Sequence, residues 1–324
     1  MSTGFLNKCS DIFGKSAVDV IVKKEFSEFV RSLPSVDNVF AFSGKEGSGF
    51  RHMRLFAAQF KGKYDLYFAL PGSFSSALTG FLSGIPERIG YSGQFRSFFL
   101  TKHYSKPQGL HRAEEFARLL KDYTDDPCSD IRVSLPPVTL EPGFIPEAGS
   151  EKTKIIFNIN SSGTSRRIPL AKAKRIALML MEKFDPVLIL TGGSRDTEYT
   201  RRLEESIGTG PKMINLSGKT SLEQAAGIIC EANLVISADS GLAHLSNSMG
   251  IPTIVLFGAG DENNTAPYNK DTLCIVKAHG LYCIPCIKNE CRHGAPICIE
   301  NLSEDDILKC AGRFLSGRDH VRQI

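Results

Sequence analysis

The sequence predicts an α/β protein made of two doubly wound, Rossmann-like domains, and three observations support this prediction. Strand-length apolar runs alternate with helical patterns in both halves of the chain, as parallel sheets with crossover helices require. A chain of 324 residues is long for one core and sufficient for two domains of about 150 residues each. A proline-rich passage from Leu135 to Pro146 separates the halves. We therefore expect domains at residues 1–148 and 149–324.

The individual elements follow from local patterns. The first half predicts strands and one small-residue helix, over Val18–Val22, Val39–Phe42, Leu66–Leu70 and, for the helix, Ser73–Leu82. The second half repeats the alternation, with a strand over Ile155–Ile159, a helix over Ala171–Phe184 and a strand over Val187–Leu190. Both series are typical of parallel sheets.

The most informative segment runs from Leu234 to Ala259 and predicts strand, tight polar turn, helix, strand. The turn Asp239-Ser240-Gly241 follows an apolar strand and directly precedes a helical pattern, which predicts that Ser240 or Asp239 caps the helix. Free backbone amides at such a helix start form a seat for phosphate. An ordinary capped junction in a parallel sheet is an equally compatible interpretation.

Composition restricts the class of protein. With 42% hydrophobic and 23% charged residues, the chain has the composition of a soluble globular protein. No apolar stretch reaches the roughly 20 residues of a membrane span, and residues 1–15 lack a signal-peptide pattern, so we expect a cytoplasmic location. A net charge of +4 is too small to indicate a nucleic-acid partner. Nine cysteines, four of them clustered, favour reduced or metal-bound thiols over a secreted disulfide framework.

Charge is distributed unevenly in the first half. No acidic residue occurs between Arg88 and Ala113, whereas aromatic residues alternate there with basic residues that include Arg88, Arg96, Lys102 and Lys106. Such a segment suits an anionic, partly lipidic surface, where cations meet phosphates and aromatic rings lie at the interface. The alternative is a solvated loop with a few core aromatics.

The clustered cysteines are Cys283, Cys286, Cys291 and Cys298, with C-x2-C-x4-C-x6-C spacing. Four thiolates can hold zinc tetrahedrally, although the two longer gaps are not those of common zinc ribbons. Reduced structural thiols are the favoured interpretation, and a structural zinc is the alternative.

Four separated segments carry a family resemblance. They are Tyr64-Asp65-Leu66 through Arg88-Ile89-Gly90-Tyr91, Asn215-Leu216-Ser217-Gly218-Lys219-Thr220-Ser221-Leu222-Glu223, Asp239-Ser240-Gly241-Leu242-Ala243-His244-Leu245, and the cysteine cluster. In this order they resemble glycosyltransferase family 9, the ADP-heptose:lipopolysaccharide heptosyltransferases, and the cluster is most similar to that of heptosyltransferase II. The resemblance covers residues 18 to about 310 and implies the GT-B fold, two Rossmann-like domains facing a cleft.

The resemblance also implies a donor and an acceptor: an ADP-heptose-like nucleotide sugar, and a Kdo-bearing lipid A core reached by a peripheral protein at the inner face of the inner membrane. It implies that the acceptor faces the basic segment with Arg88, Arg96, Lys102 and Lys106. It implies inverting transfer without a required cofactor. The donor-site residues that it implies are Ser161, Ser162, Arg166, Glu223, Asp239, Ser240, Gly241 and His244, with Arg166 and the Gly241 turn at the diphosphate, Glu223 at the ribose and His244 supporting the turn. Ile168 and the segment Gly258–Asp261 depart from the family pattern.

One part of the family pattern is not found. Family members open with a strand and a Gly-Asp loop whose aspartate is the proposed general base, whereas this chain resembles them only from the following helix onward. Asp11 is too close to the strand at Val18 to fill that role. We therefore expect an N-terminal domain without its first strand, and a base upstream of Met1. The alternatives are a noncatalytic sugar-nucleotide-binding protein, or a related transferase for another sugar or acceptor.

Overall fold

The structure is a computed structural model that describes residues 1–14, 18–43, 49–93, 95–125, 130–140, 152–208, 210 and 212–316. The described chain divides into two compact units, Met1–Val133 and Ser134–Ile324. The expected boundary at residues 148 and 149 falls outside the described residues. None of the helices in these ranges is long and apolar enough to cross a membrane.

The first unit contains two parallel sheets. Its elements are α1 (Ser2–Phe13), β1 (Val20–Lys23), α2 (Ser27–Arg31), β2 (Val39–Phe42), α3 (Phe50–Ala58), β3 (Leu66–Ala69), α4 (Phe74–Leu82), β4 (Glu87–Tyr91), β5 (Lys102–Tyr104) and α5 (Arg112–Thr124). Strand β1 pairs with β2, and β4 lies between β3 and β5. A short 3-10 turn, Arg96–Phe99, connects β4 to β5. Asp11 is an exposed residue of helix α1.

The second unit is built on one six-stranded parallel sheet. Its principal elements are β6 (Lys154–Asn158), α6 (Leu170–Phe184), β7 (Val187–Leu190), α7 (Thr197–Ile207), β8 (Met213–Asn215), α8 (Leu222–Cys230), β9 (Leu234–Ala238), α9 (Gly241–Ser248), β10 (Thr253–Phe257), α10 (Glu262–Thr265), β11 (Leu273–Lys277), α11 (Ile297–Glu300) and α12 (Glu304–Ser316). All residues of β7, β9 and β10 are buried, because helices cover both faces of a parallel sheet.

The strand order of this sheet indicates where a ligand site is expected. From one edge to the other it reads β8, β7, β6, β9, β10, β11, so the first strand of the unit is central and the chain reverses direction across the sheet after β8. This is the Rossmann order, and ligands of such sheets bind where the order reverses, at the carboxyl ends of the two central strands. Here those strands are β6 and β9, which pair in parallel from Ile155 with Leu234 to Asn158 with Ser237.

Candidate functional site

The carboxyl ends of β6 and β9 are joined by a polar network centred on Asn158. Its buried amide Nδ2 donates to Ser237 Oγ at 3.0 Å and to Ser240 Oγ at 2.9 Å, and its Oδ1 accepts from the backbone amide of Asn160 at 3.2 Å. Because Asn158 has no freedom to rotate without breaking these bonds, it fixes the turn after β9 relative to the loop after β6. This residue was missed by sequence reasoning, although a buried-strand pattern ending in Asn-x-Asn is the signal that could have found it.

Ser161 holds the same two segments together. Its hydroxyl donates to the backbone carbonyl of Asp239 at 2.9 Å and its side chain is buried. The hydroxyl proton is therefore used inside the protein. Ser161 positions the turn in this arrangement, and its place in the donor site stays a prediction. Ser162, by contrast, is exposed.

Arg166, Ser162 and Asp239 converge beside this turn. Nη2 of Arg166 donates to Ser162 Oγ at 3.2 Å, and Nη1 lies 3.8 Å from Asp239 Oδ2. The Arg166 side chain is 29% exposed and that of Asp239 is 7% exposed. Neither Nε of Arg166 nor Oδ2 of Asp239 has a hydrogen-bond partner in the described part of the chain. A half-open guanidinium with spare donors can accept a bidentate anion, as Arg does for phosphate.

Burial perturbs the carboxyl group of Asp239. Desolvation raises its pKa above the ordinary value, and the nearby Arg166 guanidinium opposes part of this rise. Gly260 allows the carboxylate its position, since a Cβ at this glycine would lie only 2.7 Å from Asp239 Oδ2. A carboxylate that is buried, incompletely bonded and beside a cation is the arrangement that accepts ligand hydroxyl groups.

Helix α9 begins at Gly241 without a side-chain cap. Ser240 occupies the cap position, but its hydroxyl is engaged by Asn158 and forms no bond to the helix amides. The prediction that Ser240 caps the helix is therefore wrong. Gly241 is exposed, and the space that a Cβ would fill there is open. The first amides of α9 thus point toward an accessible volume beside Arg166 and Asp239. His244 is half-buried one turn further along.

Glu223 lies in the first turn of α8, which packs against α9. The capping box of α8 is formed by Ser221 with Gln224, through bonds of 2.8 and 3.1 Å. Thr220 and Glu223, one residue earlier, also have suitable residue types but do not form the box. The half-buried carboxylate of Glu223 has no hydrogen bond or ion pair with any described residue, so it remains available to a ligand.

Three further buried polar atoms lie at the carboxyl ends of β6, β7 and β8. Asn160 Oδ1, Thr191 Oγ1 and Ser217 Oγ are buried without a hydrogen-bond partner among the described residues. Gly192 permits their close approach, because a Cβ there would lie 2.6 Å from Asn160 Nδ2. Buried acceptors and hydroxyls left unpaired in this way indicate a surface built for a ligand or for water. Gly192 and Gly193 follow β7 directly, and glycines after a strand are only a weak sequence signal of such a surface.

The basic candidates in the first unit are used internally. Arg96 is 1% exposed and donates to the backbone carbonyls of Ala69 and Pro71. The expectation that Arg96 faces an acceptor is wrong, since its charge neutralises the carboxyl end of β3 from inside. The other three already have partners within the unit. Arg88 donates to the carbonyls of Phe99 and Ile85, Lys102 pairs with Glu87, and Lys106 pairs with buried Glu115.

The four clustered cysteines line one cavity of about 260 Å³ next to Ala259 and Ser165. All four are free thiols. Burial raises the pKa of Cys298 to about 11. In the described ranges no three His, Cys, Asp or Glu side chains are grouped so that they could hold a metal ion. Reduced thiols and a structural zinc therefore both stay predictions for this cluster.

Two other cysteines correct the expectation of reduced thiols. Cys274 on β11 and Cys310 on α12 are joined by a disulfide that ties the last helix to the edge strand of the sheet. This pairing was not predicted, because the two residues are 36 positions apart and outside the cluster.

Comparison with known proteins identifies the family. The family model described as glycosyltransferase family 9 (heptosyltransferase) matches residues 53–296. The chain belongs to glycosyltransferase family 9. It is therefore an enzyme of the glycosyltransferase class, as the family resemblance implied.

The relatives are consistent with this assignment. A lipooligosaccharide heptosyltransferase 2 of Haemophilus ducreyi is 22% identical over 98% of this chain and 95% of its own length. A lipopolysaccharide heptosyltransferase 2 of Escherichia coli is 27% identical over 63% of each chain.

Solved structures confirm the GT-B type α/β fold. The E. coli ADP-heptose lipopolysaccharide heptosyltransferase II structure has a TM-score of 0.80 at 20% identity, covering 98% of this chain and 95% of that one. A family 9 glycosyltransferase structure from Veillonella parvula has a TM-score of 0.81 at 20% identity, with 98% and 93% covered.

Proposed function

We propose that this enzyme transfers heptose from an ADP-linked donor to the inner core of lipopolysaccharide, with inversion at the anomeric carbon. The observation that carries the proposal is the convergence of Arg166, Ser162 and Asp239 beside the uncapped start of α9, at the switch point of a Rossmann-ordered sheet. The names of the relatives and the family description support heptose as the sugar and lipopolysaccharide as the product class.

The diphosphate is assigned to the start of α9. Its free amides and the helix dipole favour negative charge, and Arg166 adds a full positive charge with unused donors on the same side. Departure of ADP builds charge on the β-phosphate, so donors already fixed in place lower the barrier without reorganisation. On this assignment the protein supplies the charge that a bound metal would otherwise supply, and transfer persists in the presence of a chelator.

The remaining donor contacts follow from the free carboxylates. Glu223 at the start of α8 is assigned to the two ribose hydroxyls, since a carboxylate can accept two hydrogen bonds at once. Asp239 Oδ2 is assigned to a hydroxyl of the transferred sugar, because this oxygen is buried and lacks a protein donor in the described residues. A solved E. coli heptosyltransferase of the same fold contains ADP-2-deoxy-2-fluoro heptose, a ligand of this chemical type.

The acceptor is assigned to the first unit, with the enzyme working at the inner face of the inner membrane. The general base is not assigned to any residue of this sequence. Asp11 is an exposed residue of α1.

The test measures ADP release with ADP-heptose and a Kdo-lipid A acceptor, and the anomeric configuration of the product by NMR. An inverted heptosyl linkage supports the proposal. Donor binding without ADP release would contradict it and favour a sugar-nucleotide-binding protein, and turnover only with another nucleotide sugar would favour a related transferase. Arg175→Gln, which removes a surface cation on α6 paired with Glu304, is the control for charge loss away from the site.

A further inference from the structure

Three neighbouring elements of the first unit expose large apolar side chains. Helix α3 packs against α4, and α4 packs against the 3-10 turn Arg96–Phe99. We call the exposed apolar side chains of this row the aromatic face: Phe50 and Leu55 on α3, Phe74 and Phe81 on α4, and Phe95 and Phe98 at the turn. Phe95 and Phe98 are each 82% exposed, and Phe50 and Leu55 are 61% and 66% exposed.

Such exposure is costly in water. An exposed phenylalanine leaves about 1.5–3 kcal/mol of burial free energy unused, and clusters of this kind mark interaction surfaces. Half-buried Phe99 supports the row from beneath, since its ring contacts those of Phe74 and Phe81 edge to face at 5.1 and 5.4 Å. The outer rings of Phe95 and Phe98 have no ring partner among the described residues.

The charge around this face has one sign. Residues 47–113 contain nine Lys or Arg and two acidic residues, Asp65 and Glu87. Glu87 is already paired with Lys102 and accepts from Tyr123. On α3 itself, exposed Arg51 and Arg54 lie beside Phe50 and Leu55 and form no hydrogen bond or ion pair with a described residue.

We propose that the aromatic face, together with Arg51 and Arg54, docks on a bilayer rich in anionic phospholipid. Phenylalanine side chains enter the boundary between headgroups and acyl chains, while the two guanidinium groups bind lipid phosphates. A protein partner of the same charge pattern would have to be acidic and apolar at once, whereas an anionic bilayer presents both properties over the whole row. The inference goes beyond the sugar-transfer proposal and does not depend on which sugar is transferred.

The cations of this docking surface differ from those first expected to face the acceptor. Arg96 is buried, and Lys102 and Lys106 are paired with carboxylates, whereas Arg51 and Arg54 on α3 have no partner among the described residues. The prediction of a lipid surface is kept. It still uses Phe95 and Phe98 of the segment after Arg88, but its cations are now Arg51 and Arg54.

The chain contains no tryptophan, so one substitution gives a clean fluorescent reporter. In the full-length protein, Phe98→Trp is expected to show a blue shift and quenching by brominated lipid with vesicles of phosphatidylethanolamine and phosphatidylglycerol. Tyr282→Trp, at an equally exposed position of the second unit, is the matched control and should show neither change. Unchanged Phe98→Trp emission with these vesicles would overturn the proposal.

Co-sedimentation gives the energetic test. Phe95→Ser with Phe98→Ser should lower the vesicle partition coefficient about a hundredfold, at about tenfold for each ring. Arg51→Gln with Arg54→Gln should lower it about 25-fold, and only for anionic vesicles at low salt. Vesicle binding by both double variants equal to that of the parent protein would overturn the proposal. Absence of vesicle binding together with concentration-dependent dimers that the serine variant abolishes would also overturn it. ADP binding should stay unchanged throughout, which separates a failure here from a failure of the proposed function.

Discussion

Replacement of Arg166 by glutamine tests the assignment of the donor diphosphate. The side chain has one bond to Ser162 Oγ at 3.2 Å, a longer contact of 3.8 Å to Asp239, and an Nε with no partner in the described residues. Its loss therefore removes little from the folded protein itself. In the complex it removes charge-assisted bonds to phosphate, each with a net contribution of about 1.5–3 kcal/mol.

The expected effect on ADP affinity follows from these values. A single such bond corresponds to a loss of about tenfold to about 150-fold in affinity. The variant also leaves the buried carboxylate of Asp239 facing the phosphate without its counterion, so the loss should be near the upper end. Arg166→Lys keeps the charge and loses the planar fork, and it should recover only part of the affinity.

Isothermal titration with ADP measures this loss directly, with Arg175→Gln as the control variant. The melting temperature of Arg166→Gln should stay close to that of the parent protein. A double-mutant cycle that combines Arg166→Gln with Asp239→Asn should give a coupling energy of about 0.5–3 kcal/mol for ADP binding, which is the range for residues in contact. An ADP affinity within about twofold of the parent protein would refute the assignment of Arg166 to the phosphate.

Three further predictions concern neighbouring residues. Asp239→Asn should retain ADP binding and lose ADP-heptose binding, as titrations with both ligands would show. Since burial raises the pKa of Asp239, its ionised form costs stability above the unfolded pKa; the variant should melt higher at neutral pH and lose this advantage in acid. Glu223→Gln should weaken ADP but not a 2′,3′-dideoxy analogue, at unchanged melting temperature; equal losses for both nucleotides would contradict the ribose contact. Ser221→Ala should remove about 1 kcal/mol of stability, seen as a shift of a few degrees in a thermal melt.

The regular elements were predictable because the central strands are continuous apolar runs. The predicted strands Val187–Leu190 and Leu234–Ala238 are confirmed to the residue, since burial on both faces of a parallel sheet demands such runs. The predicted strand Val39–Phe42 is also confirmed, although it is only partly buried. The strand expected from Val18 to Val22 begins two residues later, at Val20. The apolar run alone does not indicate at which residue the hydrogen bonds between the strands begin.

The side-chain roles were less predictable, because each depends on partners remote in sequence. Ser240 has the residue type of a helix cap, but Asn158, 82 residues away, takes its hydroxyl. Arg96 reads as a surface cation, but carbonyls at the end of β3 enclose it. Which pair closes the capping box depends on a one-residue offset, since Thr220 with Glu223 and Ser221 with Gln224 both have suitable residue types.

The uncapped start of α9 has a consequence for motion. A helix whose cap hydroxyl is diverted to the neighbouring loop has less to hold its first turn closed, so the amides of Gly241, Leu242 and Ala243 should exchange their hydrogens rapidly in the empty enzyme. Once an anion accepts bonds from those amides, exchange should slow there before it slows in the buried strands. The first turn of one short helix would then report occupancy of the donor site by deuterium uptake alone.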